Sequence, residues 1–185
     1  MNNLNALPSL DFGEAISEAW KKVVQFKGRS RRSEFWWSYL AIDLACIVVQ
    51  FIPFIGSILY FALALSIYPL TVRRLHDTGR SGWWCGIGII GTLIGMSVIF
   101  YSYFNALGLS LDMSQEIMYE RLTDAAFIEE AMTKSPDSIR YIMISCIAGF
   151  AYNLMMIVYM CLDSQPGPNK YGESPKYVAE PSDID

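Results

Sequence analysis

Three arginines, the chain's only histidine and an aspartate fall within the stretch RRLHDTGRSGWW, Arg73 to Trp84. Two kinds of chemistry suit that set. The guanidiniums of Arg73, Arg74 and Arg80 can grip a phosphate or carboxylate with paired donors, and His76 beside Asp77 is a titratable pair. A second cluster, FKGRSRRSEFWW at Phe26 to Trp37, carries Lys27, Arg29, Arg31 and Arg32, and a third, DSQPGPNKYGESP, carries Lys170 and Tyr171. Arg29, Arg31, Arg32, Arg73, Arg74, His76, Asp77, Arg80 and Lys170 are therefore the residues expected to hold an anion, most simply a lipid headgroup. An arginine beside Lys170 would need an anion between them. No activated nucleophile accompanies His76 and Asp77, so no catalytic residue is assigned, and an enzyme centred on that pair is the weaker reading. Orientation and anchoring of the chain is the plainer use of the same charges.

Cys46, Cys85, Cys146 and Cys161 are scattered through apolar stretches without CxxC spacing. They read as small buried hydrophobes, and neither a metal site nor a cofactor is expected. GIGIIG at Gly86 to Gly91 fits the dinucleotide fingerprint in letters only, because no strand precedes it and it lies inside an apolar run. Gly91 with Gly95, and Ser145 with Gly149, instead have the spacing of faces that let helices approach closely. Two polar side chains lie deep in apolar runs. Asp43 is expected to face the interior, hydrogen-bonded to Ser66, Thr92 or Asn153; the competing use is as an ion or proton ligand in a small transporter or channel subunit.

The elements that must position these residues follow from hydropathy. The chain of 185 residues is 53% hydrophobic with mean hydropathy +0.29, too apolar for an ordinary soluble domain. Its net charge of −4 leaves no basic footprint for nucleic acid. Four apolar runs, about 35–52, 54–72, 83–104 and 141–162, are each near the ~20 residues that cross a bilayer as a helix. Read as one helix, residues 35–72 would extend about 57 Å, nearly twice the hydrocarbon thickness, so Pro53, Gly56 and Ser57 are expected to turn the chain between two spans. The fold class expected is all-α: a polytopic membrane protein with four transmembrane helices over 35–162, a cytoplasmic segment 1–34 and a cytoplasmic tail 163–185.

Charge orients that bundle. Lys21, Lys22, Lys27, Arg29, Arg31, Arg32, Arg73, Arg74, Arg80, Lys170 and Lys176, eleven of the fourteen basic residues, fall on one side, and only Arg121, Lys134 and Arg140 on the other. Basic loops stay inside, so both termini and all three clusters are expected in the cytoplasm, and no cleaved leader is expected. Phe12, Ile16, Ala19, Trp20, Val23 and Val24 recur at helical spacing, which predicts an N-terminal amphipathic interfacial helix capped by Asp11. Met118, Leu122, Ala125, Ile128 and Met132 predict a short helical insertion in the extracytoplasmic segment 105–140, and Ser135 with Pro136 should open the last helix.

FKGRSRRSEFWW, RRLHDTGRSGWW and PGPNKYG, in that order and spacing, resemble the three signature stretches of a bacterial inner-membrane family called domain of unknown function 805. The resemblance implies a four-helix protein of a bacterial inner membrane and no established activity. The acidic stretch Asn105 to Ser138 is longer than the family's usual link. The function expected on these grounds is binding of anionic headgroups, or another phosphate-bearing ligand, at the cytoplasmic face in a membrane-organising or assembly role. Lipid is the expected partner, with a second copy or another membrane protein beside it.

Overall fold

The computed structural model describes residues 4–110 and 112–179. In chain order they form β1 (Leu4–Ala6), α1 (Phe12–Lys21), α2 (Arg32–Val49), α3 (Gly56–Asp77), α4 (Trp83–Ala106), α5 (Gln115–Thr123), α6 (Ala125–Lys134), α7 (Pro136–Cys161) and β2 (Tyr177–Ala179). Two compact units result: the described residues up to Gly86 with those from Met156 onward, and Ile87–Met155. The fold is mostly helical. Among the described residues three helices, α3, α4 and α7, are long and apolar enough to cross a membrane. α2 has 18 residues but includes Arg32, Glu34 and Asp43, and so is not among those three.

In the first unit, α1 starts where the sequence predicted. Asp11 Oδ1 accepts from the Glu14 amide at 2.8 Å, and Glu14 Oε2 accepts in return from the Asp11 amide at 3.2 Å. Two of the free amides of the first turn are thereby satisfied. α1 buries Ala15 against α2, where Ser38 Oγ donates to the Ala15 carbonyl at 3.1 Å. The rings of Phe12 and Trp37 meet edge to face at 5.7 Å.

The helix bounds differ from the apolar runs at their polar ends. α2 begins at Arg32 and stops at Val49. Gly56 opens α3 because the backbone doubles back tightly: a Cβ there would lie 2.2 Å from the Val49 carbonyl oxygen. At its other end α3 continues past residue 72 through Arg73, Arg74, His76 and Asp77. The apolar run that marks this span in the sequence ends at about residue 72, and the helix outlasts it for a physical reason. Cations suit a helix C-terminus, and the chain stops only at Gly79, with φ +76°. The Arg80 amide then bonds the Leu75 carbonyl at 2.8 Å and the Gly79 amide the His76 carbonyl at 3.0 Å, the double closure of a glycine C-cap.

Phe35, Leu70, Leu75, Cys85 and Met160 form the buried apolar core of this unit. β1 and β2 pair antiparallel, Leu4 opposite Ala179 and Ala6 opposite Tyr177.

In the second unit, the single helix expected between the last two apolar runs is two. Asp124 is extended and serves both, ending α5 through its amide and opening α6 by accepting at Oδ1 from the amides of Ala126 (2.9 Å) and Phe127 (3.2 Å). The close-approach role expected of the small-residue faces is also corrected. A Cβ at Gly91, Gly95 or Gly149 would meet nothing within 4 Å, whereas one at Gly88 would lie 2.2 Å from the Tyr152 hydroxyl. Of the cysteines, Cys46 and Cys85 are buried as expected, but Cys146 and Cys161 are exposed.

Candidate functional site

The last turn of α3 places Arg73, Arg74 and Asp77 on the buried side, at 1%, 0% and 0% exposure. The segment before α2 crosses this turn, with the Ser30 amide on the Arg73 carbonyl at 3.1 Å, and the segment after α7 closes it, with the Gln165 amide on the Asp77 carbonyl at 3.0 Å. All three charged clusters of the sequence therefore meet at one point.

The ion pairs are internal. Asp77 Oδ1 accepts from Arg29 Nε at 3.0 Å; Oδ2 accepts from Arg74 Nη1 and Ser164 Oγ, both at 2.5 Å. Arg73 Nη2 lies 3.6 Å from Glu34 Oε1, and Ser30 Oγ links them, accepting from Arg73 Nε at 3.0 Å and donating to Glu34 at 2.8 Å. Three guanidiniums thus share two carboxylates.

Carbonyl oxygens meet the excess positive charge. Arg29 donates to the carbonyls of Gln165 at 2.6 Å and Gly167 at 2.8 Å. Arg73 Nη1 donates to those of Lys22 at 2.5 Å and Gln25 at 2.7 Å, just past α1. Arg74 donates to the Met160 carbonyl at 3.1 Å and to that of Leu162, at the end of α7. The last carbonyls of a helix have no partner within it, so these arginines cap two helices while pairing with acids. Every guanidinium nitrogen of Arg29, Arg73 and Arg74 faces a protein acceptor. These three, expected to hold a ligand, are placed among internal acceptors, because buried donors must be satisfied and the fold supplies the acceptors.

The other expected residues lie around this cluster. Arg31 is buried and donates to the carbonyls of Leu7 and Pro8. Arg32 is exposed and reaches the Cys161 carbonyl at 3.4 Å. Arg80 lies half-buried over the Tyr159 ring at 4.1 Å. Lys170 is exposed, 4.9 Å over Tyr171.

His76 and Asp77 do not form a pair. The His76 ring stacks on Tyr171 at 3.7 Å and 7°, with Nδ1 3.1 Å from the Gly28 carbonyl, while Asp77 is engaged as above. Asp43 does not face the interior but is exposed on α2, among Trp36, Trp37, Tyr39 and Leu40. Ser66 bonds its own helix, at the Leu63 carbonyl (2.6 Å), and Asn153 likewise bonds the Gly149 carbonyl (2.8 Å). Among the described residues no group of three or more His, Cys, Asp or Glu could hold a metal.

Sequence reasoning missed Glu34, Ser30 and Ser164. A signal for the pairing was present: Asp77 stands three and four residues after Arg74 and Arg73, the spacing at which helical side chains meet.

A helical chain with three helices long and apolar enough to cross a membrane among the described residues falls in the class of helical membrane proteins. The chain belongs to the family described as "Protein of unknown function (DUF805)", which matches it over residues 23–173. It is 43% identical over 72 residues to inner membrane protein YhaI of Escherichia coli (strain K12), a match covering 35% of this chain and 61% of that relative. The chain therefore spans about three fifths of YhaI's length. It is 27% identical over 94 residues to inner membrane protein YhaH of the same strain, covering 44% of this chain and 78% of the relative. No solved structure matches it.

Proposed function

We propose that this chain is a four-span inner-membrane protein with both ends in the cytoplasm. On this reading it carries out no reaction of its own and engages anionic headgroups in a membrane-organising or assembly role. Topological parity supports the four spans. Arg29 lies 3.0 Å from Asp77 and 2.6 Å from the Gln165 carbonyl, contacts that cannot bridge a ~30 Å hydrocarbon core. If α3 crosses, the chain between residues 29 and 77 must cross a second time, and α2 is the helix available. Its 18 residues are within the range of about 17–25 that crosses a bilayer, with Arg32 and Glu34 in the first turn and Asp43 as the one charge further along it. The pairing of β1 with β2 sets the same parity for the chain ends. The eleven-to-three excess of basic residues assigns that side to the cytoplasm.

The observation that carries the lipid reading is the division of labour among the cations. Arg29, Arg73 and Arg74 are consumed inside the cluster, whereas Lys27, Arg32 and Lys170 stand exposed around it, with Trp20 and Trp83 exposed at 70% and 75%. Lysine and arginine beside interfacial tryptophan is the arrangement that grips an anionic leaflet.

Two measurements test this. In a cysteine-free background, Phe54→Cys should react with an impermeant thiol reagent from the periplasmic side and Glu173→Cys should not; the reverse would end the four-span reading. Replacing Lys27, Arg32 and Lys170 together by Gln should weaken retention of phosphatidylglycerol by about a hundred-fold at low salt, from ~1 kcal/mol per basic residue. Unchanged retention in native mass spectrometry would exclude headgroup binding by these cations.

A further inference from the structure

Between α1, α2 and α3, wholly within the first unit, lies a cleft of about 190 Å³. Its walls include Ile16 and Ala19 of α1, Ala41 and Ala45 of α2, and Leu63 and Leu70 of α3. Ala41 and Ala45 are one helical turn apart, so α2 presents a small-residue groove there, and Ala19 adds a third short side chain from across it. α1 lies across this groove without filling it.

The cleft is lined mainly by apolar side chains. Three polar side chains reach its wall, Ser38, Ser66 and Arg73, and each is committed elsewhere. Ser38 donates to the Ala15 carbonyl at 3.1 Å, Ser66 to the Leu63 carbonyl at 2.6 Å, and Arg73 to Ser30, Lys22 and Gln25. The lining is almost wholly apolar, and apolar cavities of ~150 Å³ take up small hydrocarbon guests.

The surroundings select the guest. The end of α1 and the turn after it expose Trp20, Val24 and Phe26 at 70%, 82% and 52%. Large apolar side chains so exposed belong in lipid. Lys27, beside Phe26, is exposed, which places a cation where a headgroup would sit, while Lys22 is paired with Glu18 at 3.1 Å.

We propose that the cleft beneath α1 holds a segment of one acyl chain of an anionic phospholipid, with the headgroup at Lys27. α1 acts as a clip that retains a single lipid against the α2–α3 hairpin. This deepens the lipid reading above and rests on it and on α2 spanning the bilayer.

The experiment uses the full chain in nanodiscs containing phosphatidylglycerol with a photoactivatable diazirine on one acyl chain. Labelled residues are mapped by peptide mass spectrometry. Labelling is expected on Ala41, Ala45 and Leu63 as well as on Phe61, which faces outward at 67% exposure. Filling the cleft with Ala45→Phe should reduce wall labelling about ten-fold, the worth of excluding two or so methylenes, and leave Phe61 labelling unchanged. Should Ala45→Phe not fold, Ala41→Val makes the same test with one added branch. Wall labelling at background while Phe61 is labelled, or undiminished in the filled variant, would overturn the proposal. Unchanged headgroup retention in the Lys27, Arg32 and Lys170 variant, with wall labelling intact, would sink the headgroup reading alone.

Discussion

Asp77→Asn isolates the buried cluster with a near-isosteric change. The carboxylate is fully buried and accepts from Arg29 at 3.0 Å and from Arg74 and Ser164 at 2.5 Å. Asparagine keeps the size and one acceptor oxygen but removes the charge facing two buried guanidiniums, and turns an amide toward one of them. Three cations would then share the single acid Glu34. Removing one partner of a buried pair costs about 3–5 kcal/mol. For a chain of this length each kcal/mol shifts the melting temperature by about 2–4 °C, so a loss of about 6–20 °C is expected. Heating purified protein in detergent while following tryptophan fluorescence measures it. Deleting the cations as well, in Arg29→Met/Arg74→Met/Asp77→Leu, should recover only part of the loss, because the Gln165, Met160 and Leu162 carbonyls would lose their donors. A melting temperature for Asp77→Asn within about 1 °C of wild type would refute the reasoning, since an uncompensated buried charge cannot be that cheap.

Asp43→Leu should leave the melting temperature within about 1–2 °C of wild type, in contrast to Asp77→Asn, because Asp43 is exposed; a large drop in the same melt would show that the carboxylate holds the fold together. Arg29→Lys should be destabilising by at least about 2 kcal/mol, since one ammonium cannot serve Asp77, Gln165 and Gly167 at once; wild-type stability for that variant would contradict the assigned contacts. Asp163 has its pKa held down to about 2, first by the Lys176 hydrogen bond and also by the Ser164 amide and the Tyr177 hydroxyl. A depressed acid contributes stability that is full above its ordinary value near 4 and lost as pH falls toward 2. Amide exchange of Leu7, bonded to the Lys176 carbonyl at 2.8 Å, should therefore quicken in that window beyond its intrinsic pH dependence. Asp163→Asn should abolish the extra change, and added salt should shrink it, because the pair is partly exposed.

Local rules made much of the architecture legible in the sequence. Apolar runs of membrane length give helices wherever backbone groups must be satisfied without water, so α3, α4 and α7 follow from hydropathy. Asp11 marks the start of α1 because its cap geometry is set by neighbours within one turn, and α7 opens at Pro136. α3 runs beyond its apolar run because a helix end that is buried among acceptors tolerates arginine. Spacing alone predicts one helix where Asp124 makes two, since a single residue satisfying amides on its far side outweighs an unbroken apolar periodicity.

What the tertiary structure alone decided is the destination of the charges. Sequence identified the three clusters that come together, because their composition is local. It could not tell that Arg29 would find Asp77 forty-eight positions away, or that Arg74 would close the end of α7. A guanidinium looks the same in sequence whether its partner is a phosphate from outside or a carbonyl from within. The choice depends on which helix ends the fold leaves unsatisfied beside it, and that is a property of packing. Asp43 is the converse case. Its depth along α2 was readable by counting, but the face it occupies depends on how α2 packs against α1 and α3, and that packing turned Asp43 outward.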